Sequence, residues 1–275
     1  MPSDAALLTQ FRETGWIRFP FDPALRDWLT RSGPAIQATL TDPNNAEWWR
    51  YGGTWFAGVN VLPNDTHGAV QGAPPLSGRI IDFVRDGLGF SGDWEQGQVS
   101  VCRPGYPQPI PDESDAVFAF RRDRDAAHID GLLRDGPDRR RFLREYHAFI
   151  LGIPATDHPP EAAPFTVWEG SHRLIGDWLR QTFKGIPPGD WDAIDLTDSY
   201  HATRKRVFDT CKRVTVAAKP GEAYLAHRHA VHGMAPWPQD SGSGSGSGSG
   251  SRTIVYFRPE PADRLSWLTD ENIRP

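Results

Sequence analysis

Behind Ser3 the apolar residues Ala6, Leu7, Leu8 and Phe11 recur at helical spacing, and a serine there can accept from the free N–H groups of a first turn. Asp22-Pro23 opens a second helix. Aspartate is the cap, proline takes the first helical position where its missing N–H costs nothing, and Leu25, Trp28 and Leu29 continue the apolar face. The first forty residues therefore read as helical. Beyond them the period shortens. Segments rich in β-branched and aromatic residues, bounded by Gly and Pro, recur at 54–62, 98–103, 147–154, 165–168, 213–218, 222–226 and 252–258. This pattern predicts a mainly β core of short strands, interrupted by helices near 79–87, 173–183 and 199–210. Neither a repeat nor a break in composition divides the chain, so a single domain over 1–275 is expected. Residues 241–251 differ from the rest: they alternate strictly between Ser and Gly. That is the composition of a flexible linker, either a natural low-complexity loop or a designed replacement for one.

Composition narrows the classes. The chain is 38% hydrophobic, with 11 Trp and 14 Phe, enough for a sizeable core. The 30 basic and 35 acidic residues leave a net charge of −5, which speaks against a general nucleic-acid or membrane-surface binder. No apolar run approaches the roughly 18 residues of a membrane span. Met1-Pro2-Ser3-Asp4-Ala5 carries no basic region before an apolar stretch, so no signal peptide and a cytoplasmic location are expected. Cys102 and Cys211 are two thiols in no metal-ligand spacing.

The chemistry centres on His128-Ile129-Asp130. In an extended strand, residues two apart point to one side, so imidazole and carboxylate converge. Alone, such a pair is common. Further on, Pro220-Gly221 turns into a strand that delivers His227, His229 and His232. One of these would complete two histidines and a carboxylate. Such a set leaves three coordination positions open, which suits Fe(II) that must take a bidentate co-substrate and O₂. The three histidines could instead form a self-contained Zn or Ni site, which would leave His128 and Asp130 unexplained.

Four features then occur in one order: the strand bearing Gln98, His128-x-Asp130, Glu169-Gly170-Ser171-His172, and a Pro-Gly turn leading to His232-Gly233 with an arginine opening the last strand. Over most of its length the chain resembles the phytanoyl-CoA dioxygenase family of Fe(II)- and 2-oxoglutarate-dependent oxygenases. The resemblance implies a double-stranded β-helix (jelly roll) with flanking helices, and hydroxylation of a small organic molecule with Fe(II), 2-oxoglutarate and O₂. It implies His128, Asp130 and His232 as metal ligands, with His227 a non-ligand. Arg252 would bind the distal carboxylate of 2-oxoglutarate and Gln98 its keto-acid end. Arg252 lies further past His232 than the family's arginine, and the Ser-Gly tract fills the interval. Arg258 shares its side of the strand by parity but sits at the far end beside Pro259, so its loss is expected to be mild. Ser171 and His172 are expected to cap the following helix and brace the site. Trp55, Asn60 and Asp65 stand where the family builds its substrate wall, and Arg121, in the run before His128, is a candidate for an acidic group on the substrate. Retention of Asp130 points to hydroxylation rather than halogenation. The other readings are a cupin-like metal enzyme with no use for Arg252, and a catalytically silent jelly-roll binding protein.

Because loop entropy grows only slowly with length, removing about six residues from the Ser-Gly tract is expected to leave Fe(II) affinity unchanged in a calorimetric titration. A large loss would make the tract structural.

Overall fold

A computed structural model describes residues 3–238 and 250–269; the Ser-Gly positions 241–249 lie outside the described residues. In chain order the first half forms α1 (Asp4–Thr14), β1 (Trp16–Phe19), α2 (Pro23–Thr41), β2 (Trp49–Arg50), β3 (Trp55–Phe56), α3 (Arg79–Asp82), β4 (Gln98–Cys102) and α4 (Asp115–Asp123). There follow β5 (Leu132–Asp135), β6 (Arg140–Leu143), β7 (Phe149–Pro154), β8 (Phe165–Trp168), α5 (Ser171–Thr182) and α6 (Thr197–Thr210). The chain continues through β9 (Arg213–Val216), β10 (Ala223–His227), β11 (His232–Met234), β12 (Arg252–Phe257) and α7 (Arg264–Thr269).

The two expected helix starts form as the caps dictate. Ser3 accepts from the Ala6 N–H at 3.3 Å, and Asp22 from the Ala24 N–H at 2.8 Å. Gly15 ends α1 with φ 80°, its N–H on the Phe11 carbonyl, and any Cβ there would lie 2.4 Å from the His172 ring. The first forty residues are not helical throughout, however. β1 intervenes, paired antiparallel with β10 (Ile17↔Leu225); a partner near the other end of the chain decides its state, which no local pattern carries.

A large sheet runs β1-β10-β7-β12-β4-β3-β2 and a small one β11-β8-β9, with antiparallel neighbours; β5 and β6 make a separate hairpin. Alternation sorts the large sheet. Odd positions such as Val99, Leu151, Leu225 and Val255 pack with Phe11 of α1 and Trp28 of α2 in the main core. Even positions Ile150, Tyr224, Ala226 and Ile254 meet Phe165, Val167 and Val216 of the small sheet. The even side is also where Gln98, Ser100, Cys102, Arg252 and Tyr256 stand. A further cluster joins α5, α6 and α7 to Ile129, Leu132 and Leu143.

The strand expected over 54–62 shrinks to β3. The chain then crosses β4 so closely at Gly58 that a Cβ would meet the Val99 carbonyl at 2.6 Å, and Asn60 turns it with φ 55°. Among the described residues no helix is long and apolar enough to cross a membrane.

Leu151 is fully buried at the centre of the large sheet. Leu151→Ala is expected to lower unfolding free energy by about 2–5 kcal/mol in a urea titration, from lost transfer energy plus the cavity left behind.

Candidate metal centre and its cavity

The segment bearing His128 and Asp130 is not the strand that the spacing predicts. It meets the small sheet through one bridge: the His128 N–H donates to the His232 carbonyl at 2.8 Å, and the His232 N–H to the His128 carbonyl at 2.9 Å. Alternation survives nonetheless. Ile129 is buried in the helical cluster, and its N–H donates to the Tyr200 hydroxyl at 3.2 Å, leaving His128 and Asp130 on the other side. Asp125 and Ala126 just upstream hold φ values of 55° and 52°, unusual for non-glycine residues. The Asp125 carboxylate is gripped by Arg213 at 2.5 and 3.0 Å, and its carbonyl accepts from the Met234 N–H at 3.0 Å. A Cβ on residue 233 would lie 2.2 Å from that carbonyl. Hence glycine follows His232.

Asp130 Oδ1 lies 3.3 Å from His128 Nε2 and 3.6 Å from His232 Nε2, and the three donor atoms fall within 4.8 Å of one another. Each imidazole uses its other nitrogen on a carbonyl two residues back: His128 Nδ1 on Ala126 at 3.0 Å, His232 Nδ1 on Ala230 at 2.9 Å. A carbonyl only accepts, so the proton sits on Nδ1 and the Nε2 lone pair faces the centre. Burial alone would raise the Asp130 pKa, but its charged surroundings, Arg258 first among them, hold the carboxyl well below its usual range. Two imidazole nitrogens and one ionised carboxylate on one side of a cavity form a donor set that fits a divalent metal ion.

Arg258 is placed differently from its sequence reading: its Nη1 lies 3.3 Å from Asp130 Oδ2. The other two histidines stay out. β10 ends at His227, whose odd position turns it toward Phe11 and His172, with ring centroids 5.7 and 4.9 Å away. His229 packs on Trp267 at 4.6 Å. The self-contained histidine site is therefore not formed among the described residues. Ser171 does not cap α5. Its Oγ accepts from the Val231 N–H at 2.9 Å, which braces the residue before His232, while His172 Nε2 bonds the Arg12 carbonyl at 3.0 Å.

Beneath the triad Arg252 is completely buried. Nη2 lies 3.2 Å from Met234 Sδ, while Nε and Nη1 have no hydrogen-bond partner among the described residues. Its neighbours are uncharged: burial pushes the Cys102 thiol up to about 12 and raises the phenols of Tyr106, Tyr224 and Tyr256. The Tyr224 hydroxyl donates to that of Tyr256 at 2.8 Å, so the Tyr256 proton is free to face the cavity.

The cavity over the triad, about 390 Å³, is lined by His128, Asp130, His232, Gln98, Trp55 and Tyr256 among others. Gln98 Nε2 donates to the Ala57 carbonyl at 2.8 Å, leaving its oxygen uncommitted on this wall. Asn60 lines not this cavity but an adjoining one of about 470 Å³. Asp65 serves its own loop, accepting from the His67 and Ala69 N–H groups at 2.9 Å. Arg121 lines neither. Buried against Glu113 and lying over the Tyr51 ring at 4.0 Å, it has its charge matched within the protein, which removes it as an anchor for an acidic substrate. The sequence reading missed Tyr51, Tyr106, Phe165, Met234 and Tyr256 in the cavity wall; of these only Tyr256 had a signal, its shared parity with Arg252.

No family model matches the chain, and no curated protein matches it. Solved structures do. The non-haem α-ketoglutarate-dependent carbocyclase SnoK from nogalamycin biosynthesis is similar over 98% of this chain and 91% of that one, at 18% identity and a TM-score of 0.51. AviO1 from Streptomyces viridochromogenes Tue57 aligns over 95% and 97%, with 16% identity and a TM-score of 0.49. EctD from S. alaskensis with bound Fe aligns over 96% and 82%, with 16% identity and a TM-score of 0.47. The likeness to SnoK shows a shared fold: antiparallel sheet with flanking helices.

His128→Ala, Asp130→Ala and His232→Ala are each expected to lose Fe(II) in an anaerobic titration while the protein still folds, whereas His229→Ala retains it. Loss in His229→Ala with retention in His232→Ala would overturn the ligand assignment.

Proposed function

We propose that the chain is a 2-oxoglutarate-dependent non-haem iron oxygenase of jelly-roll (double-stranded β-helix) type that hydroxylates a small organic substrate, with His128, Asp130 and His232 as the iron ligands. The observation that carries this reading is Arg252. A guanidinium removed from water without an anion is costly by several kcal/mol, and no carboxylate of the described residues meets it. A dianionic co-substrate supplies the missing charge: its distal carboxylate takes the planar fork of Arg252, and its keto-acid end turns to the triad beside Gln98. SnoK, which shares the arrangement of sheets and helices, is by its description an α-ketoglutarate-dependent protein.

Bound Fe(II), with O₂, supplies oxidative decarboxylation: substrate, 2-oxoglutarate and O₂ become hydroxylated substrate, succinate and CO₂. The chain's own part is placement. Arg252 fixes the co-substrate's length along the cavity, and Tyr256, with Tyr224 behind it, turns a hydroxyl proton toward it. Arg258 takes Asp130 Oδ2 and so leaves Oδ1 toward the histidines. The aromatic wall around Trp55 keeps water from the substrate C–H.

Anaerobic addition of Fe(II) and then 2-oxoglutarate is expected to give the weak visible band of the chelate, and aerobic screening across small acids, amino acids and natural-product fragments to release succinate. Absence of the band would sink the reading. Breaking a buried charge pair from one side costs on the order of 3–5 kcal/mol, about two to four decades in affinity. Arg252→Gln is therefore expected to raise the 2-oxoglutarate constant by that factor with Fe(II) affinity nearly intact, and Arg252→Lys to recover only part. Arg258→Gln should weaken Fe(II) instead.

A further inference from the structure

One wall of the metal cavity is built of rings, and each has its own anchor. Trp55 Nε1 donates to Ser100 Oγ at 3.1 Å, which sets the plane of the indole. Tyr51 lies parallel to it, centroids 5.7 Å apart and planes 8° apart. Tyr106 stands at an angle to both, 6.0 Å from Tyr51 and 6.2 Å from Trp55. Behind Tyr51 the buried Arg121–Glu113 pair braces the ring, Arg121 Cζ lying 4.0 Å over it. Tyr51 itself holds φ 51°, next to Gly52 and Gly53 at 63° and 75°. Glycine would make that turn most readily, so a tyrosine kept there in a conformation that L residues avoid, and braced from behind, points to a use for its ring.

The carboxylates that line this cavity are already matched, and the unmatched guanidinium of Arg252 lies buried beneath the triad. Among the described lining residues Asp125 is held by Arg213 and Asp130 by Arg258, while Arg50 lies at the exposed rim over the Trp48 ring, 5.3 Å away. A small hydrophilic substrate would find mostly ring faces, with the Gln98 oxygen and the Tyr256 hydroxyl as the uncommitted polar groups. A flat apolar one would find stacking surface, and a cavity of about 390 Å³ is of the size that encloses a multi-ring ligand. Val59, Gln98, Tyr256 and Arg258 are shared with the adjoining cavity, whose far side carries Glu95, Arg144, Glu145, Glu260 and Arg264.

We propose that the substrate carries a planar aromatic or polycyclic ring system that lies against Trp55 and Tyr51, with a polar substituent reaching past Gln98 and Arg258 into the adjoining cavity. As a statement about substrate this rests on the oxygenase reading; as a statement about binding it does not.

The probes are naphthalene-2-carboxylate and its fully saturated decahydro analogue, which share skeleton and charge and differ in planarity. Titrated calorimetrically into the wild-type protein, the planar probe is expected to bind roughly tenfold more tightly. Trp55→Leu keeps apolar bulk and is expected to remove most of that preference; Tyr51→Leu provides the same test should the first variant fail to fold. Equal affinities, no binding of either probe, or a preference that survives both substitutions would overturn the proposal. The two readings fail separately. A planar preference without the Fe(II)–2-oxoglutarate band leaves an aryl-binding site and no oxygenase, and the band without the preference leaves the oxygenase with a different substrate.

Discussion

Two backbone hydrogen bonds between His128 and His232 hold the site together. They are the only sheet-like pairing of the His128 segment among the described residues, and they bring a loop and a strand distant in sequence into one register. The surrounding structure serves that register. Asp125 and Ala126 accept an unfavourable backbone conformation, Arg213 clamps Asp125, Gly233 makes room for the Asp125 carbonyl, and Ser171 holds the Val231 N–H. Strain of this kind persists where neighbouring contacts over-determine it. Here those contacts lie on either side of the His128–His232 pair.

A second constraint is electrostatic. The even side of the large sheet carries two arginines on one strand and its continuation, and their surroundings differ. Arg258 faces Asp130, so its charge is balanced by a group that also points toward His128 and His232. Arg252 faces thiol, thioether and phenol, none of which carries compensating charge. The pair thus divides the cavity into an end balanced within the protein and an end that calls for an external anion. The proposed co-substrate spans that division, which is why its two ends would not exchange places.

The aromatic wall opposite follows from the same packing logic. Arg121 appears in a basic run that reads as solvent-facing or substrate-facing, yet it is buried with Glu113 behind Tyr51. Its positive charge supports a ring rather than a ligand. The cavity surface is left largely apolar, with polar groups at its edges, and the adjoining cavity takes up the polarity.

What was legible in the sequence was local. The Ser3 and Asp22 caps, the i and i+2 geometry of His128 and Asp130, and the parity that aligns Arg252 with Arg258 all act within a few residues, where covalent geometry allows few alternatives. Enrichment in β-branched and aromatic residues between Gly and Pro likewise located most of the strands, several of which are buried on both sides. The tertiary structure decided what depends on pairing between distant segments. It made Trp16–Phe19 a strand, reduced 54–62 to a two-residue strand, and set His232 rather than His227 or His229 beside Asp130 by ending β10 before the turn. It also set Arg258 against Asp130 and matched Arg121 to Glu113. A side chain's own neighbourhood in sequence contains neither its partner's position nor the register that brings the two together, and both are fixed only when the sheets close.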